Sequence, residues 1–168
     1  VLARDPDDVE VLSKLCFFYC DKHDFSKATT LFEAALKVDP HHEMSLKNYG
    51  MVALQSGSFD VALRCFERYL DVNKWDGTIF GPYAATLANT GQLSVAVEVA
   101  ERGLRLDPTQ QKLHALAAQL YARLGDRKKS LQHRQILAEI SKQLDPWDKK
   151  RMERKQKEIR PRPQSGAN

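Results

Sequence analysis

The sequence is poor in the residues that build the alternatives to a plain helical protein. Three cysteines in 168 residues are too few, and odd in number, for a disulfide framework, and they point to a reducing, cytoplasmic setting. No apolar run reaches the roughly 18 residues that a bilayer span needs. The first residues lack the basic stretch and hydrophobic core of a signal peptide. Eight glycines and seven prolines exclude collagen and low-complexity chains. Strand-like alternation of apolar and polar residues is missing. So are a glycine-rich phosphate loop, a nucleophile elbow and a paired-histidine zinc helix, and the acids are scattered over helix surfaces. The expectation is therefore a non-enzymatic chain with no cofactor and no metal.

Charge is present but unevenly placed. The formal net charge is +4 with a pI near 9.0. Residues 148–162 alone hold eight Lys/Arg against three acids, 8 − 3 = +5, which leaves 4 − 5 = −1 for the rest. The basicity thus belongs to a short appendage rather than to the body of the chain.

One spacing, 34 residues, organises the body. Asp5-Pro6, Asp39-Pro40 and Asp107-Pro108 fall on it, with Lys74 in the intervening slot. Gly57, Gly91 and Gly125 form a second ladder, Ala28, Ala62, Ala96 and Ser130 a third, and Leu12, Leu46, Phe80 and His114 a fourth. Within each period apolar residues recur at helical spacing, as in Leu12, Leu15, Tyr19 and then Ala28, Leu31, Phe32, Ala35. A glycine or short polar pair divides the two stretches and Asp-Pro closes the second, because the residue before proline leaves the helical region and proline cannot donate the next bond. Each period therefore reads helix, turn, helix, stop.

This pattern resembles the tetratricopeptide-repeat family. The resemblance rests on the period, on glycine ahead of Phe or Leu in the turn (Gly57-Ser58-Phe59, Gly91-Gln92-Leu93), on the small alanine opening the second helix, and on the terminal Asp-Pro. It covers residues 7–142, in repeats 7–40, 41–74, 75–108 and 109–142. The third repeat puts Ala100 where an aromatic is usual. The fourth puts His114, Arg134 and Lys142 at aromatic, aromatic and proline places, a decay that suits the edge of an array. Val1–Pro6 matches the end of a preceding, truncated repeat. The resemblance implies an all-α, right-handed superhelix that acts as a protein-interaction scaffold. A partner peptide or protein segment would lie in its concave groove, lined by the first helix of each pair.

Helical rotation then lists the groove residues. One row is Ser13, Lys47, Gly81 and Ala115, a second Phe17, Met51, Ala85 and Gln119, and a third the polar row Asp21, Gln55, Asn89 and Arg123. Amides such as Gln55 and Asn89 can hold an extended peptide backbone, while Phe17 and Met51 offer apolar anchors. One branch of the family binds C-terminal carboxylates, and Lys47, Asn48 and Lys112 fall on or near the positions it uses. Phe17 or Met51, Pro82 and Leu116 replace other members of that set, leaving the clamp incomplete. Gly81-Pro82 lies inside the expected third first-helix, which must start late, widening the groove beside Trp75, or kink.

Other features weigh less. Cys16, Cys20 and His23 superficially resemble metal ligands, but no second cysteine pair completes a tetrahedral site, so the thiols read as buried and reduced. His41 and His42 read as solvent-facing. Asp145-Pro146-Trp147 starts an expected basic helix, 143–160, that caps the array. Its Lys149, Lys150, Arg151, Arg154, Lys155 and Lys157 form a rival site for nucleic acid, acidic protein or anionic membrane. Residues 161–168 read as a disordered tail.

Overall fold

Local sequence signals set the helix ends with regularity. The computed structural model describes residues 8–143. Asp8, Asp24 and Asp126 turn their carboxylates onto free backbone N–H groups at helix starts, the capping that side-chain oxygens provide there. The helices are α1 (Val9–Asp21), α2 (Phe25–Val38), α3 (Glu43–Gln55), α4 (Phe59–Val72), α5 (Phe80–Asn89), α6 (Leu93–Leu106), α7 (Gln111–Arg123) and α8 (Arg127–Gln143). The second helices start at residues 25, 59, 93 and 127 and the first helices end at 21, 55, 89 and 123, so the 34-residue period is kept without drift. No strand occurs among the described residues. Val1–Pro6 and the basic segment after Gln143 lie outside them.

Consecutive helices pair as antiparallel hairpins, and each hairpin packs on the next through α2 on α3, α4 on α5 and α6 on α7. The core sits along these seams. Phe32, Phe66 and Phe80 are fully buried. Phe32 stacks on Tyr49 at 5.5 Å, and one period later Phe66 meets Tyr83 at 6.1 Å. Close approach depends on missing side chains: a Cβ on Gly50 would strike the Phe66 ring, and one on Gly103 would stand 2.6 Å from Phe80 Cβ. The space left open at Gly103 is thus filled by Phe80 of α5 and Leu113 of α7.

The third first-helix starts late. A single 3-10 turn (Gly77–Ile79) occupies the place where α1, α3 and α7 have their first α-turn, and α5 begins only at Phe80. Pro82 then falls in the first turn of α5, where its missing N–H costs nothing. This settles the choice between late start and kink, and it fixes the groove described next.

Candidate functional site: a recess on the inner wall

The first helices contact one another in order, α1 with α3, α3 with α5 and α5 with α7, and so make the inner wall. Between the starts of α5 and α7 this wall opens into a recess of about 750 Å³. Three features open it. Gly81 has no side chain, and a Cβ placed there would meet nothing within 4 Å. Pro82 and Ala85 are short, and the 3-10 turn draws Gly77 and Thr78 to the rim. Leu106, Leu113 and Leu116 supply an apolar lining, and Trp75, 80% exposed, stands at the mouth. Lys112 is the cation among the lining residues, while Asp107 already accepts from the N–H and hydroxyl of Thr109.

The floor beside this recess is rigid for an electrostatic reason. Asp76 accepts from Lys47 at 2.6 Å, from the Tyr69 hydroxyl at 2.6 Å, and from both the N–H and hydroxyl of Thr78. Burial pushes the Asp76 carboxyl up, but the bonds from Lys47, Thr78 and Tyr69 outweigh it and hold the group well below the usual carboxylate range. Gln110 donates to the Gly77 carbonyl at 3.3 Å, tying the start of α7 to the same turn.

No protein-family model matches the chain. It is 27% identical over 119 residues to the TPR repeat-containing thioredoxin TTL4 of Arabidopsis thaliana, across 71% of this chain and 17% of that protein. It is 30% identical over 88 residues to the inactive TPR repeat-containing thioredoxin TTL3 of the same plant, across 52% of this chain and 13% of that protein. The chain has the fold of a tetratricopeptide-repeat array and is similar in sequence to proteins named for that repeat. It spans under a fifth of the length of these relatives, and their thioredoxin name assigns it no activity. Among solved structures, MamA (41-end) from Desulfovibrio magneticus RS-1 superposes with a TM-score of 0.82 at 23% identity, over 86% of this chain and 81% of that one. Another crystal structure of MamA gives 0.81 at 18%, over 84% and 83%. At these identities the likeness is one of fold.

The array distributes the residues expected in its groove unequally. Gln55, Asn89, Gln119, Lys112 and Asp21 are exposed. Arg123 is exposed too, reaching the Ala88 carbonyl at 3.5 Å. Met51 is half-buried against the core. Phe17 lies in α1, but its side chain is outside what the structure describes. Ser13 is 5% exposed, bonded to Ser45 at 3.2 Å in the seam between α1 and α3, so it faces a neighbouring helix and not a ligand. Lys47 is spent on Asp76 and Thr78. Asn48 is half-buried, with its Nδ2 closed off from solvent and unpartnered among the described residues. Of the carboxylate-binding set, Lys112 is exposed and has no side-chain partner among the described residues. Lys149, Lys150, Arg151, Arg154, Lys155 and Lys157 lie outside the described residues.

Three expectations about single side chains are sharpened or corrected. His42 is not solvent-facing: its ring Nδ1 caps α3 by accepting from the Ser45 N–H, and lies 2.8 Å from the Ser45 hydroxyl. His23 has φ +57°, the left-handed conformation that Gly57, Gly91 and Gly125 take at intervals of 34, so it is the turn residue of the first hairpin. Burial, reinforced by Cys20, pushes the Cys16 thiol up to about 12, and burial pushes Cys65 up to about 11, leaving both protonated and unreactive near neutrality. Among the described residues no group of three or more His, Cys, Asp or Glu is placed to hold a metal ion, and no helix is long and apolar enough to cross a membrane. Sequence reasoning put Trp75 beside a groove widened by a late helix start, but missed Leu106 and Gln110 as recess residues. The signal was there in part, since an apolar Trp at the one junction lacking Asp-Pro is out of pattern.

Proposed function

We propose that the array is a non-catalytic protein-interaction scaffold whose inner wall receives an extended segment of a partner protein, with an apolar side chain of that segment seated in the recess between α5 and α7. The observation that carries this reading is the recess itself. It is apolar inside, carries an exposed Trp75 at its mouth, and is bordered by the exposed Lys112. Ligand pockets are concave and mostly apolar with a few polar groups that fix orientation. The exposed amides of Gln55 and Asn89 continue the wall and suit a peptide backbone.

Gly81 supplies the test. A side chain there meets open space, so Gly81→Leu fills the recess without disturbing the packing, and in a helix it removes glycine's entropic penalty of about 0.5–1 kcal/mol. Peptides selected from a random display library against the full chain should lose binding at least tenfold to Gly81→Leu at unchanged or raised Tm. Peptides that bind both proteins equally would place the site elsewhere. Binding that falls steeply with salt and disappears on deleting residues 148–168 would favour the basic segment instead.

A further inference from the structure

Two histidines are buried together at the last seam, where the repeat calls for apolar residues. His114 takes the place held by Leu12, Leu46 and Phe80, and His133 the place held by Leu31, Cys65 and Val99. They are 4% and 8% exposed. His114 Nδ1 lies 2.9 Å from His133 Nδ1. At the outer ends, His114 Nε2 lies 2.9 Å from the Pro108 carbonyl oxygen, and His133 Nε2 lies 3.1 Å from Glu101 Oε1. The Tyr121 hydroxyl donates to that same Oε1 at 3.0 Å.

Counting protons gives the charge. A carbonyl oxygen and a carboxylate accept only, so both outer ring nitrogens must carry hydrogen. The inner contact of two nitrogens needs one hydrogen, because two lone pairs repel and two N–H groups clash. Three ring protons on two imidazoles is one more than two neutral rings hold, whichever ring owns the middle one. We infer that His114 and His133 form a proton-binding site at neutral pH, a shared cation held against Glu101 that fastens α7 and α8 to α6. This stands independently of the peptide-binding proposal.

The surroundings support the charge. In the first two seams a tyrosine hydroxyl donates to a glutamate, Tyr49 to Glu33 and Tyr83 to Glu67. Glu101 is the next glutamate on that spacing, but Ala117 stands where its tyrosine would be. Tyr121, one turn on, and His133 take over. The charged and titratable groups facing His133 are Glu101 and Arg105 from α6, Tyr121 and His114 from α7, and Lys129 from α8. Arg105 and Lys129 are exposed, while Glu101 makes the direct contact, so the close, less screened interaction is the attractive one.

The sign of the pH effect follows from linkage. Two ordinary histidines in the unfolded chain titrate near ~6.5. Above that value the unfolded state binds fewer protons than the native pair, and stability falls as pH rises. Well below it the unfolded state binds more, and stability falls as pH drops. The pair's contribution to the folded-to-unfolded ratio should therefore peak near pH ~6.5, fall about threefold over the first pH unit on either side and steepen toward about tenfold per unit beyond it while the pair keeps three protons.

Two measurements on the full chain test this. Two-bond proton–nitrogen spectra of the 15N-histidine-labelled protein at pH 7 should show three protonated ring nitrogens in the pair. Two neutral, single-tautomer rings would overturn the inference. Urea unfolding between pH 5 and 8.5 should show the peaked dependence in the wild type and lose it in His114→Leu/His133→Val, which restores the residues of earlier repeats. Wild type and double variant running parallel in pH would equally overturn it, and the spectra decide on the wild type alone should the variant not fold.

Discussion

His23 stands where three other hairpins have glycine, and it holds φ +57°. A side chain in the left-handed region costs roughly 1–2 kcal/mol, with histidine among the residues that tolerate it better. His23→Gly should therefore raise stability by about 1 kcal/mol, read as a shift of the urea midpoint at constant slope. The three-glycine ladder was legible in the sequence because glycine marks positive φ openly. Its fourth rung was not, because a histidine in that slot looks like a ligand or a surface residue until the backbone angle is seen. Lys47 teaches the same lesson. Its place in the third helix follows from the period, but its partner Asp76 lies 29 residues away on the next repeat, and spacing along one helix carries no information about a bond across two.

At the scale of the element, the late start of α5 is the departure that shapes the site. Proline at residue 82 left two backbone solutions open, and what selected one was tertiary: Asp76 caps the 3-10 turn through Thr78 while binding Lys47 of α3 and Tyr69 of α4. Asp76→Ala should cost about 1–3 kcal/mol at pH 7, since it strips the partner from Lys47 and Tyr69 together. The carboxyl lies below its unfolded value of about 3.9, so its contribution is present above about pH 4 and is lost as pH falls further. Acid titration of the wild type against Asp76→Ala should show their stabilities converging below about pH 4. Curves that stay parallel through that range would remove the ion pair from the account of the turn.

Across the whole array of described residues, repeat length, the four helix pairs and their stacking order were all legible, because each follows from local spacing repeated four times. Phe66 was placed between hairpins from register alone and is fully buried there. Phe66→Ala should cost roughly 3–5 kcal/mol, measured by chemical unfolding, and a loss below about 1 kcal/mol would contradict this packing. The recess was less legible than the fold. It depends on which side chains are absent at Gly81 and Ala85 and on where a turn tightens, and an absence leaves no periodic mark. The His114–His133 pair was half legible: the decay of the apolar ladder at the fourth repeat marked His114, but only the three-dimensional seam brings residue 133 beside it.

Among the described residues every substantial contact lies within a hairpin or joins it to its immediate neighbour. An array wired in this way has no long-range strut among its described residues, so small rotations at successive seams add up along its axis. Tension applied at the two ends would lengthen it gradually like a coil spring, opening the inner wall before any single hairpin comes apart, and cargo held across several repeats would stiffen it against that stretch.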